Sequence, residues 1–206
     1  MRREYLVFAG RPNAGKSSII REITGLDVAS GKRPGTTRQI SKYQLSKELS
    51  LVDMPGYGSM TGATRSLVEK IKDQIIEFLE SNAGNIALAI HVLDISTFRE
   101  VTRRLERKGF ISVDVEMIQF LRDALNEHPI VAANKIDKAD KEELEAALAE
   151  LKNQIGKELP PVSSRYIFPV SARTSEGLGT LKSAIHDRLV TKGFRAPFKR
   201  YLERAR

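Results

Sequence analysis

The fold is decided by one short stretch of sequence, Gly10-Arg11-Pro12-Asn13-Ala14-Gly15-Lys16-Ser17. Its spacing is G-x-x-x-x-G-K-S, the pattern of a loop that binds the phosphates of a nucleotide. An apolar, β-prone run precedes it at residues 5–9, and residues 18–23 follow with the spacing of a helix. Strand, loop and helix are the context that this motif requires. The sequence therefore favours a phosphate-binding loop over a chance match.

The residue types in this loop suit an anionic ligand. Glycine lets the backbone turn tightly and approach the phosphates closely, and amide hydrogens at the start of a helix favour an anion. We expect Lys16 to reach the outer phosphates and the Ser17 hydroxyl to ligate Mg²⁺. The predicted nucleotide contacts here are Gly10, Arg11, Pro12, Asn13, Ala14, Gly15, Lys16, Ser17 and Ser18.

Composition narrows the classes of protein. The 206 residues, 41% hydrophobic and 29% charged, are enough for one globular domain with a sizeable core. The absence of cysteine excludes disulfide scaffolds and thiolate metal sites and fits a reducing compartment. No apolar run approaches the roughly 20 residues of a membrane span, and residues 1–4 leave no room for a signal peptide. We therefore expect a cytoplasmic protein without stable membrane insertion.

The net charge of +8 is high for a protein that handles only a small ligand. It favours a polyanionic partner, with RNA and a membrane surface as the candidates. The alternative is that the charge only aids solubility.

Apolar strand-like runs alternate with amphipathic helical runs along the chain, which predicts a three-layer α/β fold with helices on both faces of a mainly parallel sheet. We expect about six strands and five helices. Only a few residues join the strands at 39–45 and 49–53. This link is too short for a helical crossover, so these two strands should pair antiparallel at one sheet edge. The strands are expected at 5–9, 39–45, 49–53, 86–93, 129–133 and 166–170, and the helices at 18–23, 63–80, 113–125, 144–155 and 178–189.

Four segments stand outside the regular alternation. Residues 27–38 form a loop of Gly, Lys, Arg, Pro and Thr with little apolar content, and residues 55–62 form a second loop, expected to be flexible. Both follow or flank the nucleotide-binding elements, where ligand-sensitive loops belong. Residues 98–112 form a basic run that is interpreted as a solvated insertion with one or two helical turns. Residues 192–206 are a basic C-terminal extension. The predicted organisation is a nucleotide-binding domain at 1–191, containing the insertion, followed by the extension.

Asp53-Met54-Pro55-Gly56 stands at the end of an apolar strand. An acidic group there faces the phosphate loop across the carboxyl edge of the sheet. Asp53 is expected to hold Mg²⁺, most simply through a water molecule, because Mg²⁺ gives up its hydration shell reluctantly. The Gly56 amide can donate to the terminal phosphate, so the following loop would sense that phosphate. The alternative is an ordinary turn after a strand.

Asn134-Lys135-Ile136-Asp137 follows another buried strand. A carboxylate there can accept hydrogen bonds from the ring N–H and the exocyclic amine of guanine, a donor pair that adenine lacks. Lys135 can lie over the base, and Asn134 can brace the phosphate loop. Ser171-Ala172-Arg173 follows the last strand, where backbone amides could contact the guanine carbonyl. Together with the phosphate loop, these motifs predict GTP and GDP as ligands; the alternative is that Asp137 only caps the next helix.

Pro34-Gly35-Thr36-Thr37-Arg38 supplies the remaining candidate. A threonine in a mobile loop can ligate Mg²⁺ when a γ-phosphate holds that loop in place. Thr37 is the candidate ligand and Thr36 the alternative, with Gly35 as a further nucleotide contact. A plain surface loop is the competing interpretation.

This set of motifs, in this order, resembles the translation-factor-type GTPases over residues 5–190 or so, and in finer detail the EngB (YihA/YsxC) family. The residues that support the finer resemblance are Gly10 to Ser18, Pro34-Gly35-Thr36-Thr37, Asp53-Met54-Pro55-Gly56-Tyr57-Gly58 and Val113-Asp114-Val115-Glu116-Met117. The resemblance implies a monomeric GTPase associated with assembly of the large ribosomal subunit and needed for cell division and septation.

The expected chemistry is attack of water on the γ-phosphate, with Lys16, backbone amides and Mg²⁺ stabilising charge. Tyr57 stands where related GTPases often have a water-orienting glutamine, so no general base is visible. In related GTPases an asparagine at the position of Asn13 helps to hold K⁺, which makes K⁺ a second candidate cofactor. The candidate catalytic residues are Lys16, Asn13, Thr37 and Gly56. We expect slow hydrolysis that K⁺ or a ribosomal partner accelerates.

The basic insertion and the tail are the candidates for contact with ribosomal RNA. Aromatic residues interleaved with arginine can stack on unpaired bases. Alternatively, Phe194, Phe198, Tyr201 and Leu202 pack the tail onto the domain.

His91, His128 and His186 are scattered along the chain and are expected to be structural or exposed rather than metal ligands. A GTP-binding scaffold with negligible turnover, acting at a division or membrane site, is the alternative function.

Overall fold

The computed structural model describes residues 4–28, 39–58, 64–156, 165–194 and 197–198. Within them the chain forms a six-stranded sheet of order β2-β3-β1-β4-β5-β6. The strands are β1 (Glu4–Gly10), β2 (Ser41–Gln44), β3 (Leu49–Asp53), β4 (Ile86–Asp94), β5 (Ile130–Asn134) and β6 (Ile167–Val170). The predicted sheet, mainly parallel with one antiparallel edge strand, is confirmed: β2 pairs antiparallel with β3, and the other pairs are parallel.

Six α-helices lie among the described residues: α1 (Lys16–Thr24), α2 (Arg65–Asn82), α3 (Ile95–Glu106), α4 (Val113–Leu125), α5 (Lys141–Gly156) and α6 (Leu178–Thr191). Their apolar faces and the two faces of the sheet form three buried clusters. One lies between the sheet and α1 with α6, a second between the sheet and α2 with α4, and a third around α3 and α5. The apolar periodicity of the sequence therefore placed helices on both faces of the sheet.

Helix α3 corrects the interpretation of residues 98–112. In place of one or two solvated turns, the chain forms a 12-residue helix capped by the Asp94 side chain, which accepts a hydrogen bond from the Ser96 amide. Phe98 and Thr102 are buried on its inner face, and Arg99 pairs with Glu150 of α5 at 3.1 Å. Most of the basic segment is thus a packed helix, and its charges occupy the outer face.

The chain after α6 turns back onto the domain. Gly193 adopts a left-handed φ of 99°, and the Phe194 amide bonds to the Leu189 carbonyl at 3.0 Å. Phe194 and Phe198 are 7% and 8% exposed and join the core cluster beneath α1 and α6. For these two aromatic residues the packing alternative holds. Tyr201 and Leu202 lie outside the described residues.

Candidate nucleotide-binding site

The carboxyl ends of the parallel strands converge at one edge of the sheet. In register, Phe8 of β1 lies beside Asp53, Gly10 beside Val92, and Asp94 beside Asn134. The segments predicted to bind nucleotide follow β1, β3, β5 and β6, and therefore meet at this edge. Ligand crevices in open α/β sheets lie outside these strand ends.

The phosphate loop joins β1 directly to α1 and has little spare room. Gly15 has a left-handed φ of 93°, and a Cβ there would lie 2.1 Å from the Asn134 side-chain amide. A Cβ on Gly10 would lie 2.3 Å from the Val92 carbonyl oxygen. Both positions therefore require glycine, for conformation at Gly15 and for close approach to β4 at Gly10. This tight loop at a helix start fits an anion cradle.

Lys16 and Asp53 form a buried ion pair at the floor of the crevice. Lys16 is 7% exposed and Asp53 1%, and the Lys16 ammonium donates a hydrogen bond to Asp53 Oδ1. Burial lowers the pKa of Lys16, and the charge and hydrogen bond of Asp53 oppose that shift. The phosphate-binding cation and the predicted metal-binding carboxylate thus lie in direct contact.

The oxygen donors here are of the kind that Mg²⁺ prefers. Ser17 follows Lys16 in the first turn of α1, and Asp53 ends β3 beside β1. A hydroxyl and a carboxylate at the same strand edge match the hard-oxygen chemistry of Mg²⁺. These residues fit the ion; the third candidate, Thr37, lies outside the described residues together with Gly35 and Thr36.

The segment after Asp53 packs against the phosphate loop. The Met54 amide donates to the Phe8 carbonyl at 3.0 Å, and Met54 is fully buried. A Cβ on Gly56 would lie 2.8 Å from the Pro12 nitrogen, so its lack of a side chain permits the approach. Pro55 is buried as well. Gly56 therefore lies beside the loop that it was predicted to complement.

Asn134 bridges two loops. Its Nδ2 donates to the Ala14 carbonyl at 2.7 Å, and its Oδ1 accepts from the Ala172 amide at 3.0 Å. The side chain is 2% exposed, so both bonds are shielded from water. The brace to the phosphate loop predicted for Asn134 is present, and the link to Ser171-Ala172-Arg173 adds a second contact that the sequence did not reveal.

Asp137 lies next to that junction. Its Oδ1 accepts from the Ser171 hydroxyl at 2.6 Å, and Arg173 Nε lies 2.8 Å from Oδ2. The Ser171 hydrogen bond is the main cause that lowers the pKa of Asp137, with the Arg173 charge contributing and desolvation opposing. The Arg173 side chain is 76% exposed. The carboxylate is therefore held ionised by a fixed hydroxyl and by a cation at the surface.

Sequence reasoning missed Asp94 as a neighbour of the site. Lys135 Nζ lies 2.6 Å from Asp94 Oδ2, and Lys135 has a left-handed φ of 69°. Ile136, by contrast, points into the core around α3. A signal for Asp94 existed, since an aspartate ends the buried strand β4 just as Asp53 ends β3. The pair orients the lysine that was predicted to lie over the base.

Three of the residues predicted to contact phosphate, Arg11, Asn13 and Ser18, differ in their surroundings. Asn13 is exposed and has a left-handed φ of 64°. Arg11 points away toward α4, where its guanidinium lies 3.5 Å from Asp114 Oδ2. Ser18 Oγ accepts from Arg21 at 3.4 Å within α1. Asn13 thus faces outward from the loop, whereas Arg11 and Ser18 interact with neighbouring side chains.

Comparison with known proteins identifies a GTPase family and GTP-binding relatives. The family described as "50S ribosome-binding GTPase" matches residues 5–135. The chain is 44% identical over 193 residues to "Probable GTP-binding protein EngB" of Methanopyrus kandleri, covering 92% of this chain and 94% of that protein. It is 34% identical over 202 residues to the protein of the same description from Archaeoglobus fulgidus, covering 98% and 100%.

Solved structures agree with these relatives. A crystal structure described as that of a probable GTP-binding protein engB superposes with a TM-score of 0.81 at 38% identity, covering 91% of this chain and 99% of that one. Aquifex aeolicus Era bound to GDP·AlF₄⁻ superposes with a TM-score of 0.59 at 24% identity, covering 90% and 56%. The second likeness concerns the fold alone.

Proposed function

The chain belongs to the EngB family of GTP-binding proteins and is a P-loop GTPase, and from that premise we propose that it acts as a slow molecular switch in assembly of the large ribosomal subunit. One observation supports the nucleotide site above all others. Asn134 joins the phosphate loop to the Ser171 to Arg173 loop, with Asp137 bonded to Ser171 beside it. Phosphate binding and base recognition are thereby built into one rigid unit.

Different residues of this unit bind the phosphates and the base of the nucleotide. The backbone amides of the loop and Lys16 bind the phosphates, while the ionised Asp137 accepts the two donors of guanine. For Asp137 to do so, Arg173 has to leave Oδ2, and its 76% exposure allows that movement. Ala172 offers its neighbouring backbone to the guanine carbonyl. This arrangement selects GTP and GDP over adenine nucleotides.

Mg²⁺ would be held by Ser17, by Asp53 through water, and by Thr37. When bound, the ion neutralises charge on the β- and γ-phosphates. The chain itself supplies the Lys16 ammonium and the Gly56 amide on the γ-phosphate side. Lys16 contacts Asp53, so the phosphate-binding cation and the metal-binding carboxylate lie at one point of the crevice.

K⁺ is proposed as the second ion, at Asn13. Asn13 is exposed in the phosphate loop, and its side-chain amide oxygen is a suitable ligand for a weakly hydrated cation. Tyr57 is buried at 3% exposure and is therefore turned away from the role of orienting water. Asn13 is the remaining candidate from which activation of hydrolysis can come.

Multiple-turnover GTPase assays test the switch. In K⁺ the rate should exceed that in Na⁺, and isolated large ribosomal subunits should raise it further. Asn13→Ala should remove the difference between the ions, whereas Asn153→Ala, on the outer face of α5, should keep it. If neither K⁺ nor large subunits change a negligible rate, the protein is a GTP-binding scaffold and the switch is excluded.

The partner is proposed to be ribosomal RNA of the large subunit, which the description of the matching family supports. The tip that joins α3 to α4 exposes Phe110 and Ile111 at 63% and 61%. Four exposed cations precede them in the chain, in the last turn of α3 and directly after it: Arg103, Arg104, Arg107 and Lys108. Charge binds the RNA backbone, and an exposed aromatic ring can stack on an unpaired base. The basic residues of the extension would add to this charge.

Binding to large-subunit RNA should weaken steeply with salt, as expected when phosphates release counterions. Replacing Arg107 and Lys108 by glutamate should reduce both affinity and salt slope, and Phe110→Ala should weaken binding at every salt concentration. Val190→Ala, which removes an exposed apolar side chain on α6, is the control. Unchanged binding in the tip variants would exclude the tip as the RNA contact.

Within the described residues, no helix has the length and apolar character to cross a bilayer. We place the protein in the cytoplasm, as a monomer, where ribosome assembly supports normal cell division and septation.

A further inference from the structure

A buried chain of polar side chains connects the phosphate loop to Tyr57. The Tyr57 hydroxyl lies 3.1 Å from His91 Nδ1, and His91 Nε2 lies 3.1 Å from Asp114 Oδ1. Arg11 of the phosphate loop lies 3.5 Å from the other oxygen of Asp114. We call these four residues, Arg11, Asp114, His91 and Tyr57, the Tyr57 network. Three separate elements, β4, α4 and the phosphate loop, therefore hold one tyrosine.

The direction of the hydrogen bonds follows from the acceptor-only chemistry of a carboxylate. Asp114 requires a proton on His91 Nε2, and in the neutral imidazole Nδ1 is then the acceptor for the Tyr57 hydroxyl. Burial raises the pKa of Tyr57 well above its ordinary value, and the negative charge of Asp114 adds to that shift. The phenol therefore stays protonated and donates. The hydroxyl also lies 3.3 Å from Nε2, and we assign Nδ1 as its partner on these grounds.

Three residues of the Tyr57 network are deeply buried, so losing a hydrogen bond between them costs stability. His91 is fully buried, Tyr57 is 3% exposed and Asp114 4%. At such depth a polar group that loses its partner keeps its full desolvation cost. The hydroxyl of Tyr57 is thus fixed with respect to β4, and β4 is paired with β1 directly before the phosphate loop.

Both backbone neighbours of Tyr57 lie near the phosphate loop, Gly56 beside its backbone and Gly58 beside the Arg11 side chain. Gly56 approaches Pro12 so closely that a Cβ would lie 2.8 Å from the Pro12 nitrogen. Gly58 has a left-handed φ of 94°, and a Cβ there would lie 3.9 Å from Arg11 Nε. The contacts close a ring that runs from Arg11 through Asp114, His91 and Tyr57 to Gly56 and back to Pro12. Displacement of the Tyr57 ring would displace Gly56.

We propose that Tyr57, His91 and Asp114 are positioning residues that hold the Gly56 amide where the γ-phosphate of GTP binds. This inference rests on the proposed function, in which that amide senses the γ-phosphate. In this proposal the Tyr57 side chain does not orient water in the crevice. It is withdrawn into the core so that its backbone, and the amide before it, stay beside the phosphate loop.

A purely structural role for the network would predict a different result. Loss of a buried hydrogen bond lowers stability in either case, but a structural role would weaken GTP and GDP binding equally. A positioning role acts on the γ-phosphate alone, because GDP has no group for Gly56 to contact. The ratio of the two affinities therefore separates the two roles.

The test compares Tyr57→Phe with the wild type in equilibrium binding of GDP and of a non-hydrolysable GTP analogue, both with Mg²⁺. The variant keeps the ring and removes the donor to His91. We expect analogue affinity to fall about tenfold, the size of one lost buried hydrogen bond, with GDP affinity changed less than about twofold. Tyr5→Phe is the matched control, since Tyr5 lies on β1 and packs against Phe78 of α2, away from the crevice.

A second variant, Asp114→Asn, removes the charge that pairs with Arg11 and should shift the affinity ratio in the same direction. Equal losses for both nucleotides in the two variants, or a shift in one variant alone, would overturn the network as a positioning unit. Failure of the wild type to bind either nucleotide would instead overturn the proposed function. Melting temperatures of all proteins identify loss of folding as a separate effect.

Discussion

At the residue scale, the ion pair between Lys16 and Asp53 shows how much of the site the sequence could specify. The motifs identified both residues and their separate roles, because each role depends on residue type and on spacing after a strand. Their direct contact could not be read from spacing, since it depends on the pairing of β1 with β3 across 37 positions of sequence. The same holds for the link from Asn134 to Ala172.

Lys16→Ala should abolish detectable nucleotide binding and also destabilise the free protein. The substitution leaves the carboxylate of Asp53 buried at 1% exposure without its partner. Breaking a buried pair in this way costs about 3–5 kcal/mol of unfolding free energy. Urea denaturation and nucleotide titration measure the two effects. Lys152→Ala, on the exposed face of α5, should change neither, and wild-type GTP affinity in Lys16→Ala would contradict the assignment of Lys16.

Ser171→Ala should raise the pKa of Asp137 toward its ordinary value of 3.8, because the Ser171 hydroxyl is the largest cause of the lowering. A depressed pKa stabilises the folded state at pH values above the unfolded pKa, and that contribution is lost as pH falls through the folded pKa. The variant should therefore be less stable than wild type at neutral pH, with a smaller difference in strong acid. Carboxyl NMR titration follows the pKa directly; an unchanged value would contradict the hydrogen bond.

At the element scale, α3 is where prediction from sequence was wrong, for a physical reason. The three buried positions of the helix are Ile95, Phe98 and Thr102, so a polar residue interrupts an already narrow apolar stripe. Its other face carries most of the charge in that segment, which is typical of a solvated run. Helices α2 and α5 also bury three positions each, but in both of them all three residues are apolar. The N-cap at Asp94 was a signal that could have marked the start of α3.

Phe98→Ala should therefore destabilise the protein by about 3–5 kcal/mol, as expected for a buried phenylalanine in a packed core. Arg103→Ala, on the exposed face of the same helix, should change stability by less than about 0.5 kcal/mol. Chemical denaturation measures both. Equal, small effects would mean that residues 98–112 are a solvated insertion after all.

At the scale of the whole molecule, a mainly parallel sheet with one antiparallel edge strand could be predicted from the sequence, and the path of the tail could not. Alternation of strands and helices, with one short link between strands, predicts a mainly parallel sheet with one antiparallel edge. Residues 192–206 contain three aromatic and six basic residues, a composition that suits RNA binding as well as packing. Phe194 and Phe198 are buried, so these two residues pack onto the domain.

Phe194→Ala should lower unfolding free energy by about 3 kcal/mol, because the ring lies in the core cluster shared with α1 and α6. Val190→Ala is the control, since that side chain is 42% exposed one turn earlier. Thermal denaturation compares them. A stability change no larger than that of the control would show that the segment after α6 is an independent extension.

The central claim is that this chain recognises guanine through Asp137, and the most direct measurement is nucleotide preference in Asp137→Asn. An asparagine offers a donor where guanine also has one, whereas xanthine presents an acceptor there. Competition binding should show that wild type prefers GTP and that the variant prefers XTP, with the preference changed by about 100-fold or more. Asp187→Asn, at an exposed position of α6, should behave as wild type. Retained GTP preference in Asp137→Asn would contradict the account.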